Sequence, residues 1–422
     1  MTSSAKAVEQ VVREEWGRVL ASLLLHLRDM ELAEDALQEA VLSALDTWPK
    51  RGTPNSPRAW LLTAARRKAI DRIRRNQTTA KFEGELQRLI EADQREKEEM
   101  ERSSRDEPLQ DERLRLVFCC CHPALSEDAR VSLTLKTVAG MKTSEIARAF
   151  LTSEETMAQR IVRAKRKIRD AGIPYEVPTP DLWPERLESV LSVIYFVFNE
   201  GYSATSGDQL LRSDLSLEAI RLCEVLQILL PKDTEVAGLH ALLLLHESRR
   251  PARVDANGGL LTLEDQDRRL WDQGLIKQGT GLLLSALTRG SVGSFQIQAA
   301  ISAVHAGSAS FEQTDWMEIN LLYQKLYEFL PTPVVMLNSA VALSYARSPE
   351  AGLVAIRELE ETGALDDYQP FLATRAAMLR RAGNEESAQK AYKRAIVLTR
   401  NEPERRYLEE QITANEWIVP LK

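Results

Sequence analysis

Apolar residues recur at helical spacing along most of the chain. Leu20, Leu23, Leu24 and Leu27 lie three and four apart, and Leu37, Val41, Leu42 and Leu45 continue the pattern, so both runs predict helices with one buried face. Residues 48–57 hold Pro49, Pro54, Pro57 and Gly52 and predict a loop. Residues 60–75 then read as one helix. Leu62, Ala65, Ala69 and Ile73 share its back, while Trp60, Thr63, Arg67 and Arg74 share its front. A charged stretch poor in large apolar residues follows, and helical spacing returns over 114–172. After Pro174, Pro178, Pro180 and Pro184 the chain reads as helices to its end, with short Pro/Gly punctuation. Sheet-like runs of Val, Ile and Thr are missing, so the expected fold class is all-α.

Within 126–170 the signals are denser. Ser126 with Glu127 and Asp128 predicts a capped helix start, and Gly140 a helix end. Thr143 is read as the cap of a short helix over 144–150, and Ser153 as the cap of a longer one over 154–169. On this last helix Met157, Ile161, Ala164 and Ile168 form a packing face. Thr156, Gln159, Arg160, Arg163 and Lys167 fall together on the opposite side. A short helix followed by one with a polar, arginine-rich front suits a helix-turn-helix reading the major groove. Arginine can grip guanine with two hydrogen bonds, and Lys165, Arg166 and Arg169 can neutralise phosphates. The plain alternative is a basic amphipathic helix on a bundle.

Composition refines this picture. The chain has 422 residues, 44% hydrophobic and 28% charged, which predicts two to four soluble globular domains. The net charge of −7 argues against a nucleic-acid binder only on average. Residues 58–75 carry seven basic residues and one acid, Asp71; residues 160–169 carry six basic residues and no acid; the stretch 83–112 between them is strongly acidic. In the first cluster Trp60 stands among arginines after a proline-rich loop. That pairing suits unstacked single-stranded DNA, with bases on rings and cations along phosphates. Trp60 as core and the arginines as a solvated face fits the residues equally well.

Two DNA-binding surfaces, one suited to duplex and one to melted strand, fit promoter opening. Asp35-Ala-Leu-Gln38-Glu39, followed by the run from Ala59-Trp60 to Arg75, closely resembles region two of the extracytoplasmic-function (ECF) RNA polymerase sigma factors. The stretch from Leu125-Ser-Glu-Asp-Ala to Ala164-Lys-Arg-Lys-Ile168 resembles their region four. Phe118-Cys-Cys-Cys-His-Pro-Ala124, Arg249-Arg-Pro-Ala-Arg253 and Glu264-Asp-Gln-Asp267 resemble the subgroup with a C-terminal tetratricopeptide-like extension. The resemblance implies a partition into region two (1–77), an acidic linker through the polymerase cleft (78–111), region four (112–173), a short linker (174–182) and the helical extension (183–422).

It also implies roles. Asp35, Gln38 and Glu39 fall where the family meets the clamp of the polymerase largest subunit, and region four would meet the flap of the second subunit. Residues 48–57 fall where a flipped minus-ten base is captured. Trp60, Thr63, Arg67, Asp71 and Arg74 lie on the helix facing the minus-ten element. Thr156, Gln159, Arg160, Arg163 and Lys167 face the minus-thirty-five element. Val41 and Leu45 depart from the aromatics, and Arg67 from the asparagine, of many family members. The expected partners are core RNA polymerase and promoter DNA.

In the extension, Ala388, Tyr392 and Ala395, with Leu379 and Gly383 before them, have the spacing of a degenerate tetratricopeptide unit over 371–399; residues 334–345 with 351–360 have the length of another. Such arrays receive peptides or domains, so the tail is expected to regulate, by docking on the sigma domains or on polymerase or by receiving a partner; a module that only adds stability is the plain alternative. Cys119, Cys120, Cys121 and His122 lack a second ligand pair, and Cys223 stands apart, so buried packing is expected rather than a metal or redox site. His240, His246 and His305 are read as hydrogen-bonded core. The sequence carries no nucleophile elbow or phosphate loop, and neither enzyme activity, cofactor nor metal is expected. Residues 1–10 are polar and no apolar run is long enough to cross a bilayer, so a cytoplasmic protein is expected. Two rivals stand: a stand-alone helix-turn-helix regulator with a sensing helical tail, and a helical scaffold whose basic helices bind RNA or acidic proteins.

Overall fold

The computed structural model describes residues 3–27, 29–75, 112–138, 140–150, 152–175, 182–203, 211–255, 258–290 and 292–413. They are helical, with no strand among them beyond a single antiparallel bridge between Val254 and Leu260. The chain divides into two compact units, Met1–Val197 and Phe198–Lys422. The division falls inside a helix rather than at the proline-rich stretch 174–182. The acidic stretch 78–111 lies outside the described residues.

In the first unit α1 (Ser3–Leu27), α2 (Met30–Arg51) and α3 (Pro57–Arg75) pack mutually. Asp29 starts α2 by accepting the Leu32 amide at 3.0 Å. The predicted α1 face is buried, as are Leu62, Ala65, Ala69 and Ile73 of α3. The predicted face of α2 is only partly right. Leu37 is buried, but Val41 is half-buried and Leu42 and Leu45 are 66% and 37% exposed. Alanines at 33, 36, 40 and 44, with Trp48, form the true seam. Small side chains let the three helices approach closely, so alanine spacing rather than leucine spacing sets the buried side. The predicted loop 48–57 shrinks to 52–56. Trp48 is buried and holds the last turn of α2 together, so Pro49 rides inside the helix and Gly52 donates to the Trp48 carbonyl at 2.9 Å.

Four further helices follow: α4 (Glu112–Cys120), α5 (Glu127–Thr137), α6 (Thr143–Ala149) and α7 (Glu154–Asp170). Ser126 has extended backbone at the head of α5, but its hydroxyl makes no cap bond. Thr143 lies inside α6, whose start is held instead by Glu145 accepting the Lys142 amide at 2.8 Å. Ser153 does cap α7, accepting the Thr156 amide at 3.1 Å. The three- and four-residue apolar spacing of α7 is fully buried against α5 and α6. The helix α8 (Trp183–Tyr202) begins in this unit, where Ser189 accepts a hydrogen bond from Arg130.

The second unit continues with α9 (Ser213–Leu229), α10 (Thr234–Glu247), α11 (Gln273–Leu287), α12 (Ser294–Gly307), α13 (Trp316–Phe329), α14 (Pro333–Ala346), α15 (Pro349–Ala355), α16 (Arg357–Thr362), α17 (Gln369–Arg381), α18 (Glu385–Leu398) and α19 (Glu402–Thr413). Helices adjacent in sequence pack as neighbours. The centre is α10, buried on every side from Val236 to Leu245 and touched by α9, α11 and α12. Glu235 at its start reaches the N-terminus of α12, accepting from the Phe295 amide at 3.0 Å and the Gln296 amide at 3.2 Å. The helical hairpin read over 371–399 is α17 and α18, and Ala388, Tyr392 and Ala395 are buried in its seam. The one read over 334–360 is less regular, because its second arm breaks at Ile356 into two short helices.

Candidate nucleic-acid interface

The front of α7 is open: Thr156, Gln159, Arg163 and Lys167 are all exposed. They are not equally available. The Thr156 hydroxyl is engaged with Ser153 Oγ at 2.9 Å. Arg160 folds back on its own domain, 3.1 Å from Asp128 Oδ2 and over the Phe150 ring at 5.5 Å. That leaves Gln159, Arg163 and Lys167 as the front groups whose side chains have no partner among the described residues. Of the three flanking cations, only Arg166 faces solvent with nothing but its neighbour Asp170, at 3.3 Å. Lys165 is turned inward onto Glu34 of α2, and Arg169 lies 2.7 Å from Glu31 of the same helix. These pairs span more than 130 residues of chain, and no local pattern announces them.

The front of α3 is open as well. Thr63, Arg67, Asp71 and Arg74 are exposed, although the Thr63 hydroxyl donates back to the Ala59 carbonyl at 2.8 Å. Trp60 satisfies both of its readings in part. It is half-buried and packs edge-on against Trp48, with ring centroids 5.4 Å apart. One edge of the indole is therefore fixed by the core beside the loop 52–56, which gives a rigid platform at the start of the cationic face.

Asp35 and Glu39 on α2 are tied to α3. Arg72 lies 2.7 Å from Asp35 and 3.6 Å from Glu39, and Lys68 is 3.8 Å from Glu39. All four groups are roughly two-fifths exposed, so the pairs order the surface without closing it. Gln38 is fully open. One turn and two turns beyond it stand Leu42 and Leu45, which their leucine spacing predicts to be buried but which are exposed. Together Gln38, Leu42 and Leu45 form an exposed stripe, polar then apolar, edged by the Asp35 and Glu39 carboxylates. The missed signal was the run of alanines on the other side of α2.

Cys119, Cys120, Cys121 and Cys223 are free and buried. Burial raises all four thiols. Cys120 is pushed up to about 12, and lies 3.4 Å from the Thr137 hydroxyl. Protonated, enclosed thiols are poor nucleophiles. At pH 8 the folded chain is expected to take up no iodoacetamide over minutes, and four equivalents once denatured. Rapid labelling of the native protein at any of the 119–121 cysteines, read by peptide mass, would contradict the packing role.

The tail holds a cluster built on arginine and aromatic rings. Arg253 stacks on Tyr202 at 3.6 Å and donates to its carbonyl, while Arg249 donates to the Tyr202 hydroxyl at 3.1 Å. Trp271 is buried between Arg249 and Arg268, at 5.6 and 4.8 Å. Arg268 in turn donates to the carbonyls of His305 and Ser308, holding the end of α12. Arg249 and Arg253 of the first motif, with Arg268 and Trp271 just after the second, thus brace the second unit. The histidines are core, but the expected hydrogen bonds are not all made: Nδ1 of His240, His246 and His305 has no partner among the described residues. His246 packs instead on Tyr202 and His305 on Trp316, at 5.1 and 5.2 Å. Among the described residues no helix is long and apolar enough to cross a membrane.

The comparisons with known proteins follow the same division. Sigma-70 region 2 matches residues 12–79, and sigma-70 region 4 matches residues 118–168. Residues 186–287 match a family of unknown function, DUF6596. Over 396 residues the chain is 44% identical to an uncharacterized protein of Rhizobium meliloti (strain 1021), covering 94% of this chain and 92% of that one. Over 161 residues it is 30% identical to the ECF RNA polymerase sigma factor SigK of Mycobacterium ulcerans (strain Agy99), covering 36% of this chain and 79% of the relative. No solved structure matches it. With most of α1 and all of α2 and α3 inside the region 2 match, α4 and α7 overlapping and α5 and α6 inside the region 4 match, and a named relative covered over most of its length, the chain belongs to the ECF family of RNA polymerase sigma factors.

Proposed function

We propose that this sigma factor binds core polymerase through α2, meets the flap of the second subunit through region four, and works in the cytoplasm without catalysing a reaction. Asp35, Gln38 and Glu39, extended by Leu42 and Leu45, dock on the clamp of the largest subunit. Gln159, Arg163 and Lys167 read the minus-thirty-five duplex, with Thr156 and Arg160 supporting them. Trp60, Thr63, Arg67, Asp71 and Arg74, with the loop 52–56, hold the melted minus-ten strand. The helices from α9 onward form a tetratricopeptide-like array that regulates the chain, itself or by receiving a protein partner. The proposed domains are 1–77, 112–173 and 183–422, joined by 78–111 and 174–182. One observation supports the reading: two exposed cationic faces, on α3 and α7, stand on different helix packings of the first unit, α1–α3 and α5–α7.

The test is co-purification with core polymerase, then run-off transcription by full-length and truncated chains. A cut at 178 removes the part of α8 that belongs to the first unit, so a second chain ending at Ser203 is needed for the comparison. The full chain is expected to bind core enzyme and to bind promoter DNA strongly only with it. Tight operator binding without polymerase would favour a stand-alone helix-turn-helix regulator. Identical initiation by the full chain and the chain ending at Ser203 would remove the regulatory role of the tail.

A further inference from the structure

The second unit holds a cavity of about 600 Å³, a volume in the range of small-molecule sites. One wall comes from the segment 264–273. The other is the last turn of α12 with the chain that follows it, 306–312. Arg268 ties the two walls together, donating to the His305 and Ser308 carbonyls and to the Thr314 hydroxyl. The space is therefore held open by the fold rather than left by loose packing.

The charges around it do not cancel. Of its two arginines, Arg268 is spent on those carbonyls and on the Trp271 ring at 4.8 Å, and Arg269 on Asp267 at 2.7 Å. Glu264 and Glu312 have no ion pair among the described residues. A hydrogen bond from the Ser310 hydroxyl holds the Glu312 carboxyl below its usual range, so it is ionised at neutral pH. The last carbonyls of α12 add the negative end of a helix. Gln266 is an independent sign. It lines the cavity and is only 9% exposed. Its Nε2 donates to the Leu261 carbonyl at 3.2 Å, which fixes the orientation of the amide. Oε1, on the opposite branch, has no partner among the described residues. A buried acceptor that borders an open space calls for a donor from that space. Trp271 Nε1 is an unpartnered donor on the same wall, which suits a ligand that also carries an acceptor. Phe311 supplies a fixed ring. It packs edge-on against Trp316 and Tyr345 at 5.0 and 5.1 Å, and no cation among the described residues lies over it. Carboxylates, an open acceptor and an aromatic face suit an ammonium or guanidinium group, whereas an anion would meet Glu264 and Glu312.

We infer that this cavity binds a small organic cation, one carrying an ammonium or guanidinium group together with a hydrogen-bond acceptor, as a basic amino acid does. Glu264 and Glu312 pair its charge, Gln266 Oε1 accepts one of its hydrogen bonds, and the Phe311 ring lies against it. A ligand held there bridges the segment 264–273 and the end of α12, and so stiffens the second unit. The site belongs to the free chain and does not rest on the polymerase reading.

The experiment is titration calorimetry on the full-length chain with L-arginine, L-lysine and agmatine, and with L-citrulline, which has the shape of arginine but no charge on its terminal group. At least one of the three cations is expected to bind saturably at one site per chain and to raise the melting temperature. L-Citrulline should bind about tenfold more weakly than L-arginine, because the ion pairs are lost. Glu264→Gln and Glu312→Gln keep the side-chain shape at exposed positions. Each is expected to lower the affinity about two- to fivefold, and both together about tenfold, with the melting temperature of the unliganded chain unchanged. Glu386→Gln removes the same charge from an exposed place on α18 and should leave binding as it is, which separates the site from an effect of net charge. No saturable binding of any of the three cations at millimolar concentration overturns the site. So does equal affinity of the wild-type chain for arginine and citrulline, or an affinity that the double glutamine variant keeps.

Discussion

Acidification from pH 6.5 to pH 5 is expected to lower the stability of the second unit by up to about 4 kcal/mol. His246 and His305 carry the effect. Burial, and then the nearby Arg249 and Arg253, hold His246 well below the usual imidazole range. Burial, Arg249 and Arg268 push His305 down to about 3. Burial also lowers His240, partly offset by Glu224. In the unfolded chain each imidazole takes a proton near its ordinary value, while the folded one refuses it until far lower. Their stabilisation is therefore complete above about pH 6.5 and is lost as pH falls toward the folded values, at about 1.4 kcal/mol per pH unit for each histidine. Glu247 and Glu404 work in the opposite direction. Burial raises their carboxyls, so the folded chain gains their protons first and the loss flattens below about pH 5. Denaturant unfolding across this range, followed by hydrogen exchange in α10 and α12, measures the slope. His305→Phe should remove close to half of it. A profile flat from pH 7 to pH 5 would mean that these rings are hydrated and free to protonate in the folded unit.

The same histidines mark a limit of sequence reading. Their isolation among leucines and alanines predicts burial correctly, but their partners are rings and guanidinium groups from α8, the 249–271 segment and α13, and separations of that kind leave no local trace. The helix α7 was legible almost to the residue because one strong cap and an uninterrupted apolar spacing agree with each other. On α2 the two signals conflict. Leucine is the louder mark, yet the close packing of three helices selects the alanine side and leaves Leu42 and Leu45 in solvent. Proline misled in the same helix, since Pro49 reads as a breaker although Trp48 anchors the turn around it. Ser126 shows a third kind of error, a residue in cap position with cap backbone whose hydroxyl makes no cap bond. Arg160 and Lys165 looked like DNA contacts from spacing alone. Their partners, Asp128 and Glu34 on other helices and Phe150 in the turn after α6, become visible only when the helices are assembled.

That assembly separates the cations of α7 in a way that mutants will resolve. Arg163 stands exposed at the middle of the open face, with no acidic partner among the described residues. Replacing it with alanine is expected to weaken binding of the polymerase complex to its promoter by about 1–3 kcal/mol, roughly 5- to 150-fold. It should also relax preference at one base pair of the minus-thirty-five element, because a two-pronged grip on a base edge is lost. Lys167→Ala should instead weaken binding evenly across promoter variants and reduce the salt dependence by about one charge, as a phosphate contact does. Arg160→Ala should do something different again. It removes the tie to Asp128 and the contact with the Phe150 ring, so part of its effect belongs to the fold of region four and should appear as a lowered melting temperature of the free chain. Binding titrations on a set of promoter variants at several salt concentrations, beside thermal melts of each free protein, distinguish the three. If Arg163→Ala costs well under 1 kcal/mol and leaves base preference untouched, the groove is read by another face of the helix.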